Sequence, residues 1–182
     1  MQVLGFLFAF HCVQGKRFSA LERVVSFLSD SPVVHVEMLP VYRRAGDRGV
    51  WVHEAYTAFM GRRFGCYEPN VLDQEETRFL FLPTPPEVGG HGLRFLDSLL
   101  GLSYNYVGLP RTLMPEGCRR AADWEHPPHS IFCSEAGLQL ACMCDSLGLP
   151  RSFECTPAEL YRRLALHSSV LALERHEIAV LS

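Results

Sequence analysis

Apolar residues occur along the chain in runs that predict strands and in spaced sets that predict helices. Residues 3–10 form a continuous apolar run, which is typical of a strand buried on both faces. Residues 33–39, 50–56 and 77–82 are rich in β-branched and aromatic side chains and predict further strands. The polar residues 40–49 predict a hairpin loop that makes the two strands beside it antiparallel.

Apolar positions three and four residues apart predict helices between and after these strands. The predicted helices begin at Ser19, near Leu93, at residues 130–133 and at Thr156. Thr156-Pro-Ala-Glu159 combines a cap residue, a proline at the first helical position and a glutamate three residues after the cap. The last apolar stretches, 170–173 and 178–181, predict two short strands.

Two stretches rich in proline and glycine interrupt this pattern. Residues 83–92 contain three prolines and three glycines and predict a linker. Residues 109–129 are irregular, with prolines, Gly117 and Trp124, and predict an insertion or lid before the helix that starts at residues 130–133. The order of elements predicts an α+β fold with one small antiparallel sheet, in a single domain spanning residues 1–182.

Composition and charge narrow the class of protein. Apolar residues make up 48% of the chain and the net charge is −3, so nothing indicates a nucleic-acid partner. The seven cysteines are odd in number and irregularly spaced, which favours reduced thiols and a cytoplasmic location. The apolar residues 1–13 lack a basic start and are shorter than the ~20 residues that span a bilayer. We therefore predict no transmembrane segment, and leave peripheral membrane contact and the oligomeric state open.

Cys133 is the candidate nucleophile. Glu125-His-Pro-Pro-His129 cannot continue a helix, so the helix that follows begins close to Cys133. Unpaired backbone N–H groups and the helix dipole at such a position favour a thiolate. A cysteine in an apolar helix is otherwise most often a buried structural residue, so the assignment requires a base within reach.

His35, in the middle of a predicted strand, is the candidate general base. A catalytic imidazole needs a third group that orients its ring. Glu54 and His53 lie on the adjoining predicted strand, and strand alternation allows only one of them to face His35 unless a bulge intervenes. We favour Glu54 and keep His53 as the alternative; read singly, each of these residues is more often an ordinary strand residue.

These residues form an ordered set that resembles the permuted NlpC-type papain-like cysteine hydrolases, which include bacterial, phage and large-DNA-virus members and have lecithin:retinol acyltransferase-like relatives. The motifs that carry the resemblance are Val34-His35-Val36-Glu37, Val52-His53-Glu54-Ala55, Tyr104-Asn105-Tyr106, Phe132-Cys133-Ser134-Glu135 and Thr156-Pro157-Ala158-Glu159-Leu160. The resemblance implies a permuted papain-like fold in which Cys133 is the nucleophile, His35 the base and Glu54 the third member. It implies the host cytoplasm as the location of a viral member.

The implied reaction is attack of the thiolate on an amide or ester carbonyl, through a covalent acyl-thioester and without a cofactor. A backbone N–H of Cys133 or Ser134 would hold the oxyanion, and Tyr104 is a further candidate donor. Peptides, other amides and lipid esters all fit as substrates. The alternative is a catalytically inactive binding module on the same fold. Cys142 and Cys144 point about 200° apart on a helix, which disfavours a metal site.

Overall fold

The computed structural model describes residues 2–13, 23–24, 26–27, 29–43, 51–58, 62–69, 76–106, 108–115, 118–120, 129–144, 152 and 154–180. The strands in these ranges are β1 (Gln2–Cys12), β2 (Val33–Arg43), β3 (Trp51–Val52), β4 (Ala55–Ala58), β5 (Phe64–Tyr67), β6 (Thr77–Pro83), β7 (Ser103–Tyr104), β8 (Ser130–Ile131), β9 (Leu171–Leu173) and β10 (Ala179–Val180). The helices are α1 (Pro86–Ser98), α2 (Gly108–Arg111), α3 (Cys133–Cys144) and α4 (Pro157–Ala165), with a 3₁₀ turn at Arg175–Glu177.

The fold is mixed α+β and is built on one mainly antiparallel sheet. Its strand order is β10-β3-β2-β1-β6-β9, with β4 paired to β2 and β5 paired to β4. The long β1 and β2 lie at the centre, and the only parallel pair of this sheet in the described part of the chain joins β10 to β3. A separate two-stranded ladder, β7 and β8, leads directly into α3. None of the helices described is both long and apolar enough to cross a membrane.

The sheet has two buried faces, because side chains alternate along β1 and β2. The helix face carries Phe6, Phe8 and Phe10 of β1 with Val36 and Met38 of β2, and it packs against apolar residues of α1, α3 and α4. The opposite face carries Leu7, Ala9, Leu39 and Val41, which pack with Val52, Ala55, Phe79 and Ile178. Strands buried on both sides explain why residues 3–10 are apolar throughout rather than alternating.

The predicted cap residue and first-turn proline are confirmed at the start of α4, whereas the Glu159 side chain pairs with Arg119 and Arg163 and does not close a capping box. The backbone N–H of Glu159 donates to Thr156 Oγ1 at 3.0 Å, and Pro157 occupies the first helical position. Leu160 and Leu164 are fully buried on one side of the helix. The cap satisfies a backbone donor that the helix itself leaves unpaired, so the local sequence defines this terminus without help from tertiary contacts.

The predicted linker at 83–92 is wrong, because α1 begins inside it at Pro86. A proline in the first turn of a helix is compatible with helical geometry, since its missing N–H has no intrahelical partner there. A Cβ on Gly89 would lie 2.9 Å from Val3 Cγ1, and one on Gly92 would lie 2.7 Å from the Phe6 ring. The glycines therefore permit close packing of α1 on the sheet rather than ending the helix.

The predicted strand at 50–56 is interrupted. Tyr42 pairs with Trp51, and Met38 pairs with Tyr56, so four steps along β2 are opposed by five steps along the neighbouring strands. The extra residue lies at the break between β3 and β4, which contains His53 and Glu54. This is the arrangement of a β-bulge, which changes the side of the sheet to which the following side chains point.

Several other predictions fall partly outside the described residues. Arg23, Val24, Ser26 and Phe27 are helical, as predicted for the helix from Ser19. Residues 40–43 of the predicted hairpin loop belong to β2, and its residues 44–49 lie outside the described residues. Residue 50 of the predicted strand and residues 116–117 and 121–128 of the predicted insertion also lie outside them. The part of the insertion that is described contains α2 and residues 118–120. The two predicted C-terminal strands are confirmed as β9, which pairs with β6, and β10, which pairs with β3.

Candidate functional site

Cys133 occupies the first position of α3, as predicted, and is only 3% exposed. Backbone hydrogen bonds from Val36, Ser134 and Cys133 act to lower the pKa of its thiol, because an N–H that donates to sulfur favours the thiolate. Burial has the larger effect and raises the pKa to about 12, and the nearby Glu37 adds to this rise. The thiol is therefore protonated at neutral pH in the resting protein, although its surroundings include backbone donors.

Of the two predicted contributors to substrate or oxyanion binding, Ser134 directly follows Cys133 in α3, and Tyr104 lies on β7, which pairs with the strand before α3. The Ser134 side chain is fully buried, and its hydroxyl donates to the Cys155 carbonyl at 2.6 Å, which ties the start of α3 to the segment before α4. Only the backbone of Ser134 contributes at the sulfur. The Tyr104 ring lies 6.4 Å from that of Phe132, the residue that precedes Cys133.

His35 is half-buried near the start of β2. It pairs with His11 across the sheet, and the two rings are 5.5 Å apart. Because Leu7 pairs with Leu39 in the same ladder, His35 and His11 share the opposite face of the sheet. Burial lowers the pKa of His35 to about 3, and the charge of His11 adds to the effect. The resting imidazole is therefore neutral at physiological pH.

Thr57 on β4 lies within hydrogen-bond distance of the His35 ring. Its Oγ1 lies 3.0 Å from His35 Nε2, and the same hydroxyl donates to the Val36 carbonyl at 2.9 Å. The sequence did not predict this contact. A threonine within a strand has no recognisable motif, and its position opposite His35 depends on the register that the bulge at His53–Glu54 creates.

The backbone of Val36 contacts both the Cys133 sulfur and Thr57, the residue hydrogen-bonded to the His35 ring. Its carbonyl accepts from Thr57, and its backbone N–H contributes at the Cys133 sulfur. In an antiparallel strand the N–H and C=O of one residue point to the same side, so both groups are at the edge of β2 that faces β4. Cys133 approaches this edge from the helix face, and the His35 side chain extends from the adjacent residue on the opposite face.

Glu54 and His53, the predicted orienting residues, belong to a different cluster. The Tyr42 hydroxyl donates to Glu54 Oε1 at 2.5 Å, and the Cys66 thiol lies 3.8 Å from Glu54 Oε2. The His53 ring stacks on that of Tyr42 at 4.8 Å. Tyr42 is part of the core on the helix face, so the bulge turns Glu54 away from the face that carries His35. Among the described residues, the hydrogen-bond partner of His35 Nε2 is Thr57 rather than either of these two.

A buried ionic network surrounds the start of α3. Glu135 is fully buried and accepts from Asn105 Nδ2, from the backbone N–H of Phe132 and from Arg120. Its bond to the backbone N–H of Phe132 caps the start of α3. Burial raises the pKa of Glu135 to about 7, although Asn105, Arg120 and Phe132 oppose the rise and Glu154 adds to it.

The arginines of the predicted insertion are bound to this network. Arg120 donates its backbone N–H to Glu154 Oε2 at 2.6 Å, and Arg119 forms an ion pair with Glu159 at 2.7 Å. Glu154 is almost fully buried. Arg119 and Arg120 therefore attach residues 118–120 to α3 and α4.

Potential metal ligands do not converge in the part of the chain that the structure describes, where no three histidine, cysteine, aspartate or glutamate side chains lie close enough to hold an ion. Comparison with known proteins found no matching family model, curated protein or solved structure. The resemblance to permuted NlpC-type hydrolases therefore stays a prediction that depends on the sequence motifs.

Proposed function

We propose that the protein is a cysteine hydrolase or acyltransferase of the permuted papain-like type, with Cys133 as nucleophile and His35 as general base. The observation that carries the proposal is the convergence at Val36, whose backbone contacts both the Cys133 sulfur and the partner of the adjacent His35 ring. Acyl transfer requires a nucleophile and a base whose ring is held by a third group, and here the nucleophile and the base reach the same strand edge from opposite faces of the sheet.

In the proposed reaction the Cys133 sulfur attacks a carbonyl carbon while its proton passes to His35. The carbonyl electron pair moves onto oxygen, and the backbone N–H groups of Cys133 and Ser134 are the closest candidates to stabilise that charge. Collapse of the intermediate breaks the bond to the leaving group, which takes the proton from His35 and leaves an acyl-thioester. Water or an acceptor hydroxyl or amine then gives a proton to His35 and attacks the thioester, and the proton returns to sulfur as the acyl group leaves.

The proton must move during the attack rather than before it. The thiol has a pKa of about 12 and the imidazole a pKa of about 3, so a thiolate–imidazolium pair is not populated in the resting protein. A neutral imidazole can accept the proton as a general base, and efficient catalysis then requires the pKa of His35 to rise towards the working pH when the site opens to substrate. Amide, peptide and lipid-ester substrates all remain compatible with this chemistry, and none requires a cofactor.

A catalytically inactive binding module is the second candidate, and a specific observation favours it. Cys133 is 3% exposed and His35 projects from the face of the sheet opposite α3. A substrate carbonyl has to approach the sulfur to about 3–3.5 Å, so catalysis requires the surrounding surface to open. A binding module has no such requirement, and Cys133 would then serve only to pack the start of α3.

Turnover of activated substrates separates the two candidates. We would measure hydrolysis of p-nitrophenyl acetate and of short-chain thioesters by the wild type, by Cys133→Ala and by His35→Gln, with Cys118→Ala as the control because Cys118 is exposed and outside the site. The proposal predicts activity that both site variants lose and the control keeps. Equal rates in all four proteins would favour the binding module.

A further inference from the structure

We infer that Thr57 is the residue that positions His35 for proton transfer, in the role that the sequence assigns to Glu54 or His53. This inference rests on the proposed function, because positioning a base matters only if His35 accepts a proton. Three features of the site support it: the hydrogen bonds of the Thr57 hydroxyl, the burial of that side chain, and the contacts that Glu54 and His53 make elsewhere.

The hydrogen bonds of Thr57 determine which ring nitrogen of His35 carries the proton. A threonine hydroxyl has one hydrogen, and a carbonyl can only accept, so the contact with the Val36 oxygen uses that hydrogen. The 3.0 Å contact between Thr57 Oγ1 and His35 Nε2 must then have Nε2–H as the donor. This selects the tautomer in which Nε2 is protonated and Nδ1 is the basic nitrogen.

Thr57 is held firmly enough to impose this choice. It is 1% exposed and lies within β4, which pairs with β5 along its whole length. A β-branched side chain in a strand has few accessible rotamers, and the bond to Val36 fixes the hydroxyl against the same strand that carries His35. The oxygen that accepts from the ring is therefore set by the sheet and not by a mobile loop.

The competing residues already have partners on the helix face. Glu54 accepts from Tyr42, and the His53 ring stacks on the same tyrosine. The carboxylate that does lie on the face of His35 is Glu37, whose Oε1 is 3.3 Å from His11 Nε2. The Thr57 hydroxyl, in contrast, contacts His35 Nε2 and is also hydrogen-bonded to the backbone of β2.

A neutral hydroxyl differs from a carboxylate in what it can do for the imidazole. It orients the ring and selects the tautomer, but it supplies no negative charge to balance an imidazolium. Loss of the hydroxyl is expected to lower kcat by roughly tenfold to a hundredfold and to leave KM within about twofold, since Thr57 contributes to proton transfer and not to substrate binding.

The test combines a tautomer measurement with two variants. Nitrogen-15 NMR of histidine-labelled protein, with the His35 signals assigned by their loss in His35→Gln, identifies the protonated ring nitrogen without any substrate. Thr57→Val removes the hydroxyl at nearly constant volume, and Thr57→Ser keeps it. Acetylation of Cys133 by p-nitrophenyl acetate is measured by mass spectrometry on the same three proteins.

We expect an Nε2–H tautomer in the wild type and in Thr57→Ser, a changed tautomer population in Thr57→Val, and slower Cys133 acetylation in the valine variant alone. An Nδ1–H tautomer in the wild type, or a tautomer that Thr57→Val leaves unchanged, would overturn the inference. If the tautomers behave as expected but Cys133 is not acetylated in any of the proteins, the proposed function fails while the positioning contact stands. If Thr57→Val does not fold, the tautomer of His35 measured in the wild type still tests the inference.

Discussion

At Cys133 two physical effects act in opposite directions on one sulfur atom. The start of α3 and the backbone of Val36 supply hydrogen bonds that favour the thiolate, while burial favours the thiol and prevails. A helix start by itself therefore does not make a reactive cysteine; the sequence can identify the first effect, but the second depends on what packs around the sulfur.

This balance predicts slow alkylation of Cys133 at neutral pH. Iodoacetamide reacts with the thiolate, so a thiol whose pKa is about 12 should react more slowly at pH 7 than the exposed Cys118 and should gain about tenfold in rate per pH unit. Peptide-resolved mass spectrometry across pH 6–10 measures both sites in one sample. Rapid alkylation of Cys133 near pH 6 that is lost in His35→Gln would show a preformed ion pair and contradict this description of the resting site.

A second prediction at the scale of single residues concerns the raised pKa of Glu135. Its pKa in the folded protein, about 7, is above the ordinary value of 4.5, so the folded state holds the proton more tightly than the unfolded state. The contribution of Glu135 to the free energy of unfolding therefore falls by about 3 kcal/mol as pH rises from about 4.5 to 7. Each unit of difference between the folded and unfolded pKa corresponds to about 1.4 kcal/mol. Glu135→Gln should remove this loss, which denaturant titrations at several pH values would measure.

Glu159 is the matched control for Glu135. It is partly buried, which raises its pKa, but hydrogen bonds from Arg119 and Arg163 more than offset this and hold the pKa below its usual value. Its contribution is therefore present at neutral pH and is lost as pH falls through the acid range. Glu159→Gln should change the pH dependence in the opposite sense to Glu135→Gln. The same change in both variants would refute the assignment of Glu135.

The sequence predicted single residues well where local geometry decides and poorly where strand register decides. Cys133 at the start of a helix and Glu135 as its cap follow from residues within one turn. Thr57 as the partner of His35 follows from the bulge that precedes β4 and sets its register against β2, and no local pattern indicates it. The same bulge explains why Glu54, the best match to the family motif, contacts Tyr42.

At the scale of elements, α1 shows how composition can mislead. The prolines and glycines of residues 83–92 predict a linker, yet Pro85 and Pro86 lie at the helix start and Gly89 and Gly92 face the sheet. By contrast Thr156-Pro-Ala-Glu159 was sufficient to place α4, because capping is local. Whether a glycine ends a helix or allows close packing depends on its neighbours in space, which the sequence does not display.

Adjacent glycines in α1 provide a direct test of this interpretation. A Cβ on Gly89 would meet Val3 Cγ1 at 2.9 Å, whereas one on Gly90 has only the end of the Arg94 side chain within reach, at 3.9 Å. Gly90→Ala should stabilise the protein by about 0.5–1 kcal/mol, because alanine has the higher helix propensity. Gly89→Ala should lower the stability by about 1–3 kcal/mol through overpacking. Thermal unfolding of both variants measures the difference, and equal effects would mean that α1 does not pack closely on β1.

At the scale of the whole molecule, the site lies where two parts of the fold meet at one strand edge. Packing of α3 on the helix face of the sheet places Cys133 next to β2, and the opposite face carries His35, His11 and Glu37. Arg119 and Arg120 hold residues 118–120 against the start of α4 and α3 through ion pairs with Glu159 and Glu135. For catalysis, a proton must pass between the Cys133 sulfur and the His35 imidazole around the strand edge at Val36, which is our central claim.

The most direct test of that claim is covalent trapping of the acyl-enzyme. The protein would carry Cys66→Ser and Cys118→Ser, which remove the exposed thiols, and would be mixed with p-nitrophenyl acetate, quenched in acid and mapped by mass spectrometry. We predict an acetyl group on Cys133 that forms within the first turnover and is lost or strongly slowed in His35→Gln. Acetylation that is absent from Cys133, or that proceeds equally without the His35 imidazole, would contradict the account and leave the fold as a binding module.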